Sequence, residues 1–155
     1  MSSTGDPNAK VLFRVPGEGD RAHVETLWAF DLGGDRYRLD NSPFYAYGVS
    51  LGDTVLAPHD RDEGFPTFKG VVSKSGNRTV RVAFDSPVQA GSSSDHVLQD
   101  LVRLGCDYEG ANRRYIVVNV PAAVDLSAVV KCLVDCNAEW EHADPTYEEL
   151  HPDDT

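Results

Sequence analysis

Thr79-Val-Arg-Val-Ala-Phe84, Ser94-Asp-His-Val-Leu-Gln-Asp-Leu-Val-Arg-Leu-Gly105, Cys106-Asp-Tyr108, Arg114-Tyr-Ile-Val-Val-Asn-Val120, Asp125-Leu-Ser-Ala-Val-Val-Lys-Cys-Leu133 and Ala138-Glu-Trp-Glu-His142 follow one another along the second half of the chain, and their order decides the fold. In the first piece Val80, Val82 and Phe84 fall on one side of an extended backbone. In the second, Val97, Leu98, Leu101 and Val102 recur at helical spacing, with Ser94 placed as N-cap and Gly105 as C-terminal stop. Cys106 and Tyr108 predict a short strand, and the β-branched run up to Pro121 a longer one. Asp125 opens a second helix that turns Leu126, Val129, Val130 and Leu133 inward, and Ala138, Trp140 and His142 alternate as in a half-buried strand. The result is β-α-β-β-α-β, the order of the ferredoxin-like split βαβ fold. Right-handed crossovers would put both helices on one sheet face and leave the other for the N-terminal half or a partner.

Outward from this run, residues 10–85 show strand alternation and no helical period. Val11, Phe13 and Val15 alternate, as do Val24, Thr26, Trp28 and Phe30, with Gly17-Glu18-Gly19-Asp20 as a turn between them. Gly33-Gly34-Asp35 turns into Tyr37 and Leu39; Thr54–Ala57, Phe68–Lys74 and Thr79–Phe84 follow. This predicts a small β-barrel or bent antiparallel sheet. The chain therefore reads as α+β: residues 1–9 a disordered tail, 10–85 a β-rich subdomain, 86–145 the ferredoxin-like subdomain sharing strand 79–84, and 146–155 an acidic tail fraying from Glu148.

A chain of 155 residues can bury one core, or two small cores that share an interface. No stretch approaches the roughly 20 apolar residues of a membrane span, and Met1 to Lys10 lacks the apolar core of a signal peptide, so a cytoplasmic location without membrane partners is expected. Three cysteines, an odd number, fit reduced thiols. The net charge of −11 is unevenly spread: residues 1–91 carry 10 Lys+Arg and 12 Asp+Glu, whereas residues 92–155 carry 4 and 13. A net of −9 in the second part repels phosphate backbones and anionic lipid and favours a basic protein or a cationic ligand. Arg114–Val120 also lacks the basic-glycine-aromatic pattern of RNA-binding sheets, so no nucleic acid is expected.

Candidate chemistry is sparse. Cys132 and Cys136 share a helix side near Cys106, yet a fourth zinc ligand is missing and core packing explains them better. The five histidines are scattered, and Glu139 and Glu141 point away from His142 on a strand. No metal, cofactor or catalytic residue is expected. Asn41, Phe44, Tyr45 and Tyr47 combine an amide, three rings and the fixed backbone of Pro43 in an irregular segment, either a ligand-binding surface or a plug closing one end of a barrel. Asp107, Glu109, Glu139, Glu141, Glu148 and Glu149 define the acidic surface for a basic partner, and from Glu139 to the end there are seven acids and no Lys or Arg.

Glu25-Thr-Leu-Trp-Ala29, Tyr37-Arg-Leu-Asp-Asn41 with Pro43-Phe44, and Gly48-Val-Ser50 with Gly52-Asp53 resemble the bacterial family called domain of unknown function 4265, from about Val11 to about Glu149. The resemblance implies a bacterial protein of this size and brings with it no activity and no site residue. The expectation is a non-enzymatic binding or regulatory protein, an immunity-type or antitoxin-type inhibitor being one concrete version. The alternative is a small-ligand sensor, or an accessory enzyme of a biosynthetic pathway, with a pocket near Phe44–Tyr47.

Overall fold

The computed structural model describes residues 6–15 and 23–153; Met1–Gly5 of the expected tail, the expected turn Gly17–Asp20 and Asp154 lie outside the described residues. The first half contains β1 (Ala9–Val15), β2 (His23–Gly33), β3 (Arg36–Leu39), β4 (Thr54–Leu56), the two-residue strands β5 (His59–Asp60) and β6 (Phe65–Pro66), and β7 (Gly70–Ser73). Antiparallel pairing gives one sheet in the order β1-β2-β3-β4-β7, while β5 and β6 pair with each other. A closed barrel, one of the two expectations for this half, is not what forms. Between the ends of the sheet there is one parallel bridge, Leu12 to Thr67, with the Phe68 N–H bonded to the Leu12 carbonyl at 2.9 Å. The sheet is open, and β5 and β6 pair with each other rather than joining it.

Val11, Phe13, Val15, Leu27, Ala29, Tyr37, Leu39, Val49 and Val55 form the core of this half. The phase of β2 is the reverse of the expected one. Glu25, Leu27 and Ala29 point inward, while Val24 and Trp28 are 56% and 44% exposed. Two contacts account for it: Glu25 finds backbone amides inside, and Trp28 outside is covered by the Lys10 ammonium 4.6 Å from its ring centroid.

The second half contains β8 (Arg78–Ala83), α1 (Ser93–Leu104), β9 (Asp107–Gly110), β10 (Tyr115–Val120), α2 (Leu126–Asp135), β11 (Glu139–Asp144) and α3 (Tyr147–Leu150). Its sheet is antiparallel, in the order β11-β8-β10-β9. Val80, Val82, Ile116, Val118 and Val120 pack one face against Val97, Leu98 and Leu101 of α1 and Val129 and Leu133 of α2. The N-cap of α1 is Ser92 rather than Ser94: the Ser92 hydroxyl accepts the Asp95 N–H, and Ser94 is buried beside it. Gly105 ends the helix at φ 110°, a left-handed conformation that an L side chain resists. Asp125 caps α2 as expected. Beyond β11 the expected fraying gives way to α3, because Thr146 and Glu149 form a capping box that satisfies the amides of a single turn.

Candidate functional site

Strand register assembles the site. Glu109, Val117, Arg81 and Glu141 are directly paired across β9, β10, β8 and β11, so they form one row on the sheet face turned away from the helices. The next row is Asp107, Asn119, Thr79 and Asp144. Segment 41–50 of the first half lies on this face and makes the junction between the two sheets.

Arg81, 1% exposed, is the centre of the junction. Its Nε donates to Glu141 at 2.9 Å, its Nη1 donates to the carbonyls of Pro43 (3.2 Å) and Ala46 (2.8 Å), and the Tyr47 ring lies 4.5 Å from its guanidinium carbon. Tyr47 donates its hydroxyl to the other oxygen of Glu141 (2.7 Å), and Tyr115 donates to the Phe44 carbonyl (2.6 Å) while stacking on Tyr45. From the opposite side Glu25 accepts the N–H groups of Phe44, Tyr45 and Ala46 at 2.6 to 3.2 Å. This irregular loop is thus held by one buried cation and one buried anion, which satisfy backbone groups that no ladder reaches.

A second polar cluster closes the junction. Lys74 Nζ donates to Asp53 (2.7 Å), Asp144 (2.6 Å) and the Gly48 carbonyl, and Ser50 donates to Asp144 and lies 2.7 Å from the Thr79 hydroxyl. Burial works against the Lys74 charge, but the hydrogen bonds to Asp144 and Asp53 outweigh it and raise its pKa.

The residues singled out in the sequence fall at different places. Asn41 donates to Glu109 and, through its carbonyl oxygen, accepts the Trp28 backbone N–H; Phe44 is half-buried; Tyr45 and Tyr47 are half-exposed, Tyr45 on Tyr115 and Tyr47 over Arg81. Glu109, which also accepts the Ser42 N–H, and Glu141 are engaged inside the junction rather than standing free. Asp107, Glu139 and Glu148 are exposed. Glu149 is drawn into the capping box, where the Thr146 N–H and then its hydroxyl hold the carboxyl below its ordinary range. The sequence does not single out Glu25, Arg81, Tyr115 or Lys74 as site residues. The one available signal is Arg81 itself, a cation between Val80 and Val82 in the middle of a strand.

Two recesses flank Tyr47 and Glu141. An open groove of about 800 Å³ follows the free edge of β11 beside α3, bordered by Tyr47, Trp140, Glu141, His142, Tyr147 and Glu148. A smaller cavity of about 400 Å³ lies on the other side, between Val15, Val24, Tyr45, Tyr47, Tyr115 and Arg81. Burial, then the neighbouring His151, lowers the His142 pKa; burial pushes Tyr115 up to about 12 and the Cys106 thiol up to about 11. The Cys106 thiol therefore stays protonated near neutral pH and is a poor nucleophile. Among the described residues no group of three or more His, Cys, Asp or Glu is placed to hold a metal ion, and no helix is long and apolar enough to cross a membrane.

A family described as a domain of unknown function (DUF4265) matches residues 25–143. No curated protein matches the sequence. The fold is similar to that of a hypothetical protein from Neisseria gonorrhoeae known from a crystal structure, with a TM-score of 0.72 over 90% of this chain and 96% of that one, at 16% identity. At that identity the likeness concerns the fold alone.

Proposed function

The chain belongs to the family of domains of unknown function DUF4265, and on that premise we propose that it is a non-enzymatic binding or regulatory protein whose acidic edge receives basic side chains of a partner protein. The observation that carries this reading is the groove along β11. Tyr47, Trp140 and Tyr147 supply ring faces, exposed Glu148 supplies a carboxylate, Glu141 lines the groove while paired to Arg81, and exposed Glu139 precedes Trp140 on the same strand. Rings and carboxylates together suit a guanidinium or ammonium group, which gains a cation–π contact and an ion pair at once. An inhibitor of a basic enzyme is one form such a protein takes. The fully buried Ser50 and the Cys106 thiol, which burial pushes up to about 11, argue against covalent chemistry at these two side chains. We also read the second half as a ferredoxin-like unit, supported by its element order, its strand order and helices on one face. In that unit the face left open to partners is here filled by the chain's own residues 41–50, which moves binding to the β11 edge.

The test is titration with a deca-arginine peptide across a salt series, on the wild type and on Glu139→Lys and Glu148→Lys. Both reversals should weaken binding at least about tenfold, and affinity should fall as salt rises. Binding indifferent to salt and to both reversals would remove this reading.

A second reading is favoured by the 400 Å³ cavity, whose size falls within the usual range of small-molecule sites: the protein also binds a small ligand between its two halves.

A further inference from the structure

The smaller cavity has a chemistry of its own. Its walls are flat: Tyr45 stacks on Tyr115 with centroids 5.7 Å apart and planes at 19°, and Tyr47 lies over the guanidinium of Arg81. Buried Val15 and exposed Val24 add apolar surface to the lining. Besides His23 at the rim, the charged groups that line the cavity are Arg81 and Glu141. Arg81 uses Nε and Nη1, but among the described residues its buried Nη2 has no hydrogen-bond partner. Glu141 accepts one bond at each oxygen, from Tyr47 and from Arg81, and each oxygen keeps a further lone pair. The guanidinium is a planar fork, so the unused Nη2 donor lies beside the carboxylate that Nε already holds. A buried cation with idle N–H groups is unfavourable unless an acceptor arrives.

Resting on the small-ligand reading above, we propose that this cavity binds an uncharged planar heterocycle that presents a carbonyl oxygen and an N–H side by side, the lactam edge of uracil, guanine, pterins and flavins. The carbonyl oxygen takes the Arg81 Nη2 donor and the N–H goes to Glu141, while the ring takes the place that the Tyr47 ring leaves, beside the Tyr45–Tyr115 stack. An anionic ligand is disfavoured, because Glu141 already balances Arg81 and Glu139 stands exposed on the same sheet face. Entry needs one movement. Tyr47, half-exposed and held by its bond to Glu141 and its contact with Arg81, swings off the guanidinium and uncovers Nη2. The same movement alters the groove along β11, since Tyr47 and Glu141 border both recesses.

The full chain is titrated with uracil, guanosine and lumichrome, and in parallel with 1,3-dimethyluracil, which keeps the ring and carbonyls but has no N–H. Thermal shift and tyrosine fluorescence are the readouts. The variants are Tyr45→Ala, at a half-exposed ring with no side-chain hydrogen bond shown, and Glu141→Gln, which keeps size and removes the charge; a single melting transition checks folding. Arg81 is left intact, since it holds the Pro43 and Ala46 carbonyls. The expected result is saturable binding of at least one lactam compound, at least about tenfold weaker for dimethyluracil than for uracil, and at least about tenfold weaker in each variant. Equal binding of uracil and dimethyluracil, both lost in Tyr45→Ala, overturns the lactam edge and leaves the cavity as a ligand site. No compound binding at millimolar concentration, or binding unchanged by Tyr45→Ala, overturns the cavity as a site altogether.

Discussion

His142 shows how one side chain carries a pH dependence. It stands edge-on to Trp140 at 4.8 Å, its Nδ1 is buried without a hydrogen-bond partner among the described residues, and burial followed by His151 lowers its pKa. Charging it would strand a proton on a nitrogen with no acceptor. The unfolded chain, with an ordinary histidine near 6.5, therefore takes up the proton first as pH falls. The stability that the neutral ring contributes is complete above 6.5 and is lost as pH falls through the lower folded value. His142→Gln should flatten the slope of unfolding free energy between about pH 7 and 5, in urea titrations at each pH. An unchanged slope would place the acid sensitivity elsewhere.

At the scale of an element, α3 is the telling case. Four residues cannot hold a helix by propensity alone, and here the reciprocal bonds of Thr146 and Glu149 do so. The turn it makes brings Tyr147 and Glu148 to the groove. Thr146→Ala removes the cap at a local cost of about 1 kcal/mol. The expected outcome is a nearly unchanged melting temperature together with weaker deca-arginine binding and broadened Tyr147 ring signals by NMR. Retained affinity would mean that α3 has no part in the groove. The capping pair is legible as Thr146-x-x-Glu149, yet Pro152, Asp153 and Asp154 read more strongly as a tail. The β2 phase was misread for the same reason, since Val24 and Trp28 outweigh a glutamate in any pattern of apolarity.

For the molecule as a whole, the junction decides behaviour. The two cores are separate clusters, and what joins them is polar: Arg81 and Glu25 around residues 43–46, and Lys74 between Asp53 and Asp144. Lys74→Met would leave two carboxylates, both buried, without their shared cation. Removing one member of a buried ion pair costs on the order of 3–5 kcal/mol, and the half-exposed Lys74 side chain puts this case at about 3. Urea unfolding should show that loss, with part of it recovered in Lys74→Met/Asp144→Asn. The raised Lys74 pKa adds a sign: its contribution is complete below about 10.5 and lost as pH rises through the folded value. A Lys74→Met loss that persists undiminished above the folded pKa would contradict this account.

The sequence by itself determined the class of the molecule, its element order from Arg78 to Asp144, the family and the uneven charge. Periods of 2 and 3.6 residues and a count of acids are properties of neighbouring residues, so they are visible in a string of letters. Only the tertiary structure decided which side of the second sheet is covered and by what. Residues 41–50 reach Arg81, Glu109 and Glu141 from 30 to 100 positions away, and nothing local distinguishes a glutamate that will face water from one that will meet a guanidinium. The acidic half thus divides in two. Glu109, Glu141 and Asp144 neutralise cations and amides inside the junction, and Asp107, Glu139 and Glu148 remain for solvent or a partner, because strand register and a distant loop assign each carboxylate its partner.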